Sequence, residues 1–242
     1  MDKEDTLYQH GTLALLVPGL FKGTLTVGEL LKHGDYGIGS VEGLDGELTV
    51  VDGKGYLVKS DGKVTEVGPE ETVPFANAHY DRETDKYQRT NITKNDLETE
   101  ILKNHDYQNI FFAVKITGTF KSIKTRVVNG NGKPPYKTLA QTALDQSIFE
   151  AENMPGTLVG YYSPELFQGV ASAGYHVHFI SDDHTFGGHI LDYELADGKV
   201  SLQRFESLDL HLPAHDSTYR KFEFDYDETD EIIKGAEGSG NN

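Results

Sequence analysis

Three histidines in the second half of the chain have the residue type and spacing of a metal site. His176 and His178 are two residues apart in an alternating segment typical of a β-strand, and His189 follows a turn-forming stretch rich in Ser, Asp and Gly. Side chains alternate between the faces of a strand, so both imidazoles of the His-x-His pair point the same way. A hairpin would place His189 opposite them. Three neutral nitrogens would then converge with coordination positions left open, as in a catalytic zinc site.

The composition restricts the kind of ion that could bind there. The chain has 242 residues and no Cys, which excludes disulfides, thiolate-bound metals, iron–sulfur clusters and a thiol nucleophile. Imidazole ligands without thiolates favour Zn, Mn, Fe or Co. Asp182, Asp183 and Asp192 could orient the imidazoles by hydrogen bonds to the ring nitrogens that do not bind the metal. Alternatively, they belong to a turn and to a solvated strand position. His184 is expected at the surface of the turn or behind the ligands.

Spacing alone leaves a second enzyme class open. Cupin barrels also begin a metal site with His-x-His on a strand, followed by a carboxylate, for which Asp182 could stand, and by a more distant His. The second cupin motif requires Pro-x-Gly before a His, whereas the segment from Leu212 to His215 has no Gly. The alternatives to a zinc enzyme are therefore a cupin-like dioxygenase or isomerase and a non-enzymatic module with a structural three-His metal site.

The net charge and the length of the apolar runs predict the binding partners and the cellular location of the protein. The chain carries 22 Lys and Arg against 39 Asp and Glu, a formal net charge of −17, and its basic residues are scattered singly. This charge repels phosphate backbones, so nucleic acid is not an expected partner. The apolar run from Leu13 to Val17 is far shorter than the ~20 residues of a membrane helix and lacks the features of a secretion signal. We expect a cytoplasmic protein that does not bind membranes.

The elements that would position the histidines are mostly short strands. The pattern predicts an α+β protein with largely antiparallel β-sheets, few helices and two packed subdomains. Residues 1–242 would form one catalytic unit, and the break at 129–135 is either a subdomain boundary or one long surface loop. Strands are predicted at 12–17, 47–51, 56–58, 63–67, 109–117, 119–127, 157–162, 174–180, 188–195, 200–205 and 208–212.

The remaining segments are predicted as helices, loops and a tail. Thr26 and Thr93 have the sequence pattern of helix N-caps. Further helices are expected at 139–148, 217–222 and 228–234. Residues 69–89 are expected to be loop with one possible strand near 73–78, and 119–127 is expected to form a hairpin with 109–117 across Gly118. Residues 238–242 are expected to be a flexible tail.

The segment from Gly174 to Tyr193 resembles the zinc-binding segment of the alpha-acetolactate decarboxylases. Other segments agree in the same order: residues 30–39 are similar to that family's early helix-to-strand turn, Gly43-Leu44-Asp45-Gly46-Glu47-Leu48 to its glutamate-bearing loop, and Thr125-Arg126 followed by Pro134-Pro135-Tyr136 to its arginine segment. Leu212-Pro213 and a carboxylate near the end complete the set. The resemblance extends from about residue 12 to 237. Ser40 occupies a position where relatives often have Thr, and residues 129–132 differ from the sequence that usually follows the arginine in this family.

The resemblance implies a ligand set, a pocket and a reaction. His176, His178 and His189 would hold Zn2+, Glu47 and Arg126 would face the metal, and the C-terminal tail would return Glu237 to the site. Ser40 would line the substrate pocket, and the protein would be a homodimer. The implied reaction converts (S)-2-acetolactate into (R)-acetoin and carbon dioxide. On their own, Glu47, Arg126 and Glu237 would be interpreted as ordinary surface residues.

The implied reaction makes physical demands that these residues could meet. Loss of carbon dioxide leaves an electron pair on C2, and zinc bound through the ketone and hydroxyl oxygens would stabilise the enediolate as a Lewis acid. A carboxylic acid must then protonate one face, for which Glu47 is the first candidate and Glu237 the second. Arg126 would hold the substrate carboxylate as a planar fork. A small 2-hydroxy-3-oxo acid is therefore the expected substrate.

Overall fold

A computed structural model of the chain describes residues 5–82 and 84–224. Glu237, the helix predicted at 228–234 and the tail at 238–242 lie outside the described residues. The first part of the chain contains β1 (Thr6–His10), α1 (Leu13–Leu16), β2 (Leu25–Thr26), α2 (Val27–Leu30), β3 (Tyr36–Ser40), β4 (Glu47–Val51), β5 (Lys54–Val58), β6 (Val64–Glu66), β7 (Thr72–Val73) and β8 (Phe75–His79). The rest contains β9 (Asp85–Thr93), α3 (Lys94–His105), β10 (Phe112–Val128), α4 (Leu139–Ala143), β11 (Gln146–Ser163), β12 (Gly174–Ser181), β13 (Gly187–Arg204), β14 (Ser207–His211) and α5 (Ser217–Lys221).

Two large sheets contain nearly all of these strands and confirm the predicted α+β class. The seven-stranded sheet has the order β14-β1-β8-β3-β4-β5-β6, in which only β1 and β14 are parallel. The five-stranded sheet has the order β10-β11-β12-β13-β9, and an additional pairing of β10 with β13 closes four of its strands into a ring. β2 and β7 form a separate pair. In the described part of the chain, no helix is long and apolar enough to cross a membrane.

Two strands of the five-stranded sheet are continuous where the sequence predicts interruptions. β10 and β13 each run without interruption where the sequence predicts a hairpin across Gly118 and two separate strands over 188–205. Gly118 pairs with Gly156 on one side and Gly198 on the other. A Cβ on Gly118 would lie 2.2 Å from the Asp197 carbonyl oxygen, so the glycine permits close approach of strands rather than a turn.

The predicted helix starts agree with the structure, whereas two other segments differ. The Thr26 and Thr93 side chains accept hydrogen bonds from the backbone N–H of Glu29 and Asp96, as N-caps do. Residues 12–17, predicted as a strand, contain helix α1 instead, because an uninterrupted apolar run fits a buried helix as well as a strand. In residues 69–89, β8 confirms the possible strand near 73–78, whereas the segment from Asp85 onward is not loop but the start of β9, which pairs along β13.

The helix predicted at 139–148 is shorter, since pairing with β10 takes residues from 146 onward into β11. Residues 129–135 connect β10 to α4, and Asn131 bonds to the Gly43 carbonyl through its backbone N–H. The subdomain boundary near this connection stays a prediction.

The interior of the molecule lies between the two sheets and on the far side of the ring. One core cluster joins residues of both sheets, among them Ile38 of β3 and Val159 of β11. A second cluster fills the space between the five-stranded sheet and α3, with Phe120 and Phe179 fully buried. A third brings α1 and α4 together over the ends of β8 and β10. The candidate site lies where the two sheets meet, since Glu47 of β4 in one sheet approaches His178 of β12 in the other.

Candidate metal centre

The three histidines converge as the strand pattern predicts. His178 of β12 and His189 of β13 are directly opposite each other in the antiparallel register, and His176 lies two residues before His178 on the same face. One ring nitrogen from each lies within 4.8 Å of those of the other two. Among the described residues, His176, His178 and His189 are the side chains whose ligand atoms lie close enough together to hold a metal ion.

The hydrogen bonding of His178 fits a metal ligand. Its Nδ1 lies 2.9 Å from the carbonyl oxygen of Leu48 on β4. A carbonyl oxygen only accepts, so Nδ1 carries the proton and donates, which leaves the lone pair on Nε2. That Nε2 atom is buried and has no hydrogen-bond partner among the described residues. A buried acceptor left in this state is costly, and a bound cation would satisfy it. The residues present therefore fit a divalent metal.

Burial also holds all three imidazoles in the form that binds metals. Desolvation lowers the pKa of His176 from 6.5 to about 3, and the positive charge of Arg126 acts in the same direction. Burial lowers the pKa values of His178 and His189 well below the usual range, again reinforced by nearby positive charge. Each imidazole is therefore neutral at neutral pH, with a lone pair available for a cation.

Arg126 and Glu47 reach the histidines from two different elements. Arg126 of β10 is the register partner of His189, so its side chain leaves the same face of the sheet. Glu47 is the first residue of β4 in the opposing sheet. Its Oε2 lies 3.5 Å from Nε2 of His178, and its Oε1 lies 3.7 Å from Nη1 of Arg126. Only 6% of Glu47 and 5% of Arg126 is exposed, so neither is the surface residue that its local sequence suggests.

A tight turn before β4 aims Glu47 at the cluster. Gly46 has φ = 120°, in the region that favours glycine, and a Cβ there would lie 2.5 Å from the carbonyl oxygen of Val58. The hydroxyl of Ser40 donates a 2.7 Å hydrogen bond to the Gly46 carbonyl oxygen. Ser40 is also the register partner of Glu47. Ser40 is among the residues that line the cavity at this cluster, and its hydroxyl supports the backbone of the turn.

The cavity at this cluster has a polar end and an apolar end. Ser40, Glu47, Arg126 and His176 line the polar end. The apolar end is formed by residues that the sequence does not mark as functional, namely Leu13, Leu16, Leu44, Val128, Leu139 and Ala143. Their local pattern is that of ordinary core residues, and only the fold brings α1 and α4 over the histidines. The lining thus offers charged groups and alkyl groups side by side.

The other candidate side chains lie away from the imidazoles. Asp182 and His184 are exposed in the β12–β13 turn, where His184 stacks on Tyr56 with ring centroids 4.2 Å apart. Asp183 accepts hydrogen bonds from Ser181 and Thr185, and the exposed Asp192 accepts one from the backbone N–H of Tyr193. These carboxylates belong to the turn and the strand, and the exposed Asp182 does not support a cupin-like ligand set.

Comparisons with known proteins agree with the resemblance seen in the sequence. The family model described as alpha-acetolactate decarboxylase matches residues 7–226. An alpha-acetolactate decarboxylase of Streptococcus thermophilus is 42% identical and covers 98% of this chain and 100% of its own length.

Two solved structures superpose on nearly the whole chain. A Staphylococcus aureus protein of unknown function, described as similar to alpha-acetolactate decarboxylase, has a TM-score of 0.93 at 38% identity and covers 96% of this chain and 100% of its own. The alpha-acetolactate decarboxylase of Bacillus subtilis strain 168 has a TM-score of 0.92 at 33% identity, with 97% and 100% covered.

Proposed function

The chain belongs to the alpha-acetolactate decarboxylase family, and from this premise we propose that it converts (S)-2-acetolactate into (R)-acetoin and carbon dioxide with a bound zinc ion. The observation that carries the proposal is the convergence of three neutral imidazoles, with Glu47 beside both His178 and Arg126, and His176, Glu47 and Arg126 lining one cavity. The substrate has a carboxylate, two further oxygens and two alkyl groups. The charged and apolar side chains that line the cavity are of the types that would contact these groups.

His176, His178 and His189 are the residues that would hold the ion. Three neutral nitrogen ligands without a thiolate suit zinc, and they leave positions open for a substrate. When bound, zinc would act as a Lewis acid toward the negative charge that develops as carbon dioxide leaves. The Leu48 carbonyl fixes the ring of His178, so this ligand is oriented before any ion arrives.

Arg126 binds the substrate carboxylate and opposes the charge that the reaction creates. Its guanidinium can form two parallel hydrogen bonds to a carboxylate, which sets the orientation of the bond to be broken. After carbon dioxide departs, the guanidinium remains beside the new negative charge. Because Arg126 is buried, water does not screen its charge strongly, and this preorganised charge favours the transition state.

Glu47 delivers the proton that completes the product. Its Oε2 faces the histidine cluster, within reach of a substrate held between His178 and Arg126. A proton donor fixed on one side of C2 protonates a single face, which accounts for one enantiomer of acetoin. The apolar residues of α1 and α4 line the cavity, and with a substrate bound they would keep bulk water from that carbon. Glu237 is the second candidate for the donor. The homodimer and the cytoplasmic location stay predictions.

A pair of histidine variants tests the proposed metal and reaction together. His178→Ala should lose both bound zinc and carbon dioxide release from acetolactate, because one of three ligands is removed. His184→Ala removes an exposed imidazole from the adjoining turn and should keep both. Metal content by plasma mass spectrometry and carbon dioxide release are measured on the same folded samples. Full activity of His178→Ala without zinc would refute the proposed role of the cluster.

A further inference from the structure

We propose that helix α4, packed against α1, forms the wall that selects the size of the alkyl group on C2 of the substrate. Leu139 and Ala143 of α4 would then determine the preference for a methyl over an ethyl group at that carbon, in an inference that rests on the proposed function. Both residues line the same cavity as Glu47, Arg126 and His176, at the apolar end.

The position of Arg126 relative to this wall sets which part of the substrate meets it. Arg126 and Val128 are two residues apart on β10, so they leave the same face of the strand, one at the polar end and one at the apolar end. A carboxylate bound to Arg126 and oxygens directed to the histidines leave only the alkyl groups to face Val128 and α4. The C2 substituent is the alkyl group that differs between acetolactate and its ethyl homologue, acetohydroxybutyrate.

Hydrogen bonds and packing fix the position of α4, so that the wall can discriminate between alkyl groups of different size. The Leu139 N–H donates a 3.1 Å hydrogen bond to the Val17 carbonyl at the end of α1. A capping box between Thr138 and Gln141 closes the first turn of α4. Leu139 is buried in a core cluster with Leu13, Leu16 and other apolar residues, and Ala143 packs against it. Close-packed side chains of this kind accommodate an added methylene of the substrate only with strain.

Leu139 and Ala143 are four residues apart and occupy one face of the short helix. The next residue, Leu144, caps the helix, is 88% exposed and is not among the residues that line the cavity. Leu144 therefore serves as a control position, because it is an exposed leucine next to the two lining residues. One methylene in an apolar pocket changes kcat/KM by roughly 10- to 200-fold, which sets the size of effect to expect.

The test compares kcat/KM for acetolactate and acetohydroxybutyrate with the zinc-loaded protein. Leu139→Ala widens the apolar end and should raise the ethyl-to-methyl ratio at least about tenfold. Ala143→Leu narrows it and should lower the ratio by about the same factor. Leu144→Ala should leave the ratio unchanged. Far-UV circular dichroism establishes that each variant is folded, and Leu139→Val, which removes one methylene, replaces Leu139→Ala if the larger change prevents folding.

The outcomes separate this inference from the proposed function. Opposite shifts at the two positions with no shift for Leu144→Ala would support the wall. Decarboxylation by the wild-type protein with ratios that stay within twofold in the folded α4 variants would overturn the wall alone. A shift as large for Leu144→Ala as for Leu139→Ala would also overturn it. Absence of turnover of both compounds by the zinc-loaded wild-type protein would refute the proposed function and the inference with it.

Discussion

Replacing the buried His79 with Gln should make the stability of the fold less sensitive to acid. His79 ends β8 between the two large sheets and is 2% exposed. Its Nδ1 lies 2.9 Å from the hydroxyl oxygen of Tyr161 on β11. Burial lowers the pKa of His79 from 6.5 to about 4, Lys115 acts in the same direction, and Asp81 opposes them. The folded protein therefore resists the proton that the unfolded chain accepts.

The size of the effect follows from the two pKa values. The unfolded chain takes up a proton on His79 near pH 6.5, whereas the folded protein does so only near pH 4. Above pH 6.5 the imidazole is neutral in both states, and the free energy of unfolding does not depend on it. As the pH falls from 6.5 toward 4, only the unfolded chain takes up the proton, so the free energy of unfolding decreases. One pKa unit corresponds to about 1.4 kcal/mol. At pH 5, about 1.5 pH units below the unfolded pKa, the folded state should therefore be about 2 kcal/mol less stable on account of this group.

Urea unfolding in the presence of a chelator measures this difference without a contribution from metal binding. We expect the free energy of unfolding of His79→Gln to fall by about 2 kcal/mol less between pH 8 and pH 5 than that of the wild type. The comparison uses the change with pH, so packing lost at both pH values cancels. Tyr161→Phe removes the same hydrogen bond but keeps the imidazole, and it should retain most of the pH dependence. An equal fall for His79→Gln and the wild type would refute the reasoning.

Two substitutions in the site have expected kinetic results. Glu47→Gln preserves the shape of the side chain but cannot donate a carboxylic proton, so we expect zinc to be retained and kcat to fall about 100- to 10,000-fold. Metal analysis and carbon dioxide release check this result, and full turnover would remove Glu47 from the proton-transfer role. Arg126→Lys keeps the charge but loses the planar two-point contact, so KM for the substrate should rise. Steady-state kinetics check it, and an unchanged KM would mean that the substrate carboxylate binds elsewhere.

The histidine cluster could be predicted from local sequence because its geometry depends on strand periodicity. A period of two puts His176 and His178 on one face, and the short polar turn returns the chain to His189. Glu47 and Arg126 have no such local pattern. Glu47 begins a strand of the other sheet, and it meets Arg126 only because the two sheets face each other. For these residues the family resemblance supplied what spacing could not.

The incorrect predictions share a physical cause, which is that tertiary pairing decided between two locally acceptable structures. Gly118 is acceptable in a turn, but its missing Cβ is needed where β10 and β13 approach. The run from Leu13 to Leu16 is short and apolar throughout, so its periodicity cannot distinguish a helix from a strand. That helix lines the cavity, and the apolar end of the site was therefore not predictable from the sequence.

Acetoin formation from racemic acetolactate is the most direct test of the central claim. The protein is assayed as purified, after chelation and after zinc is restored, and the product is resolved on a chiral column. We predict that only (R)-acetoin forms, that chelation abolishes it and that zinc restores it. If the folded, zinc-loaded protein forms no acetoin, or forms it equally well after complete removal of the metal, the proposed function of the three-histidine site is wrong.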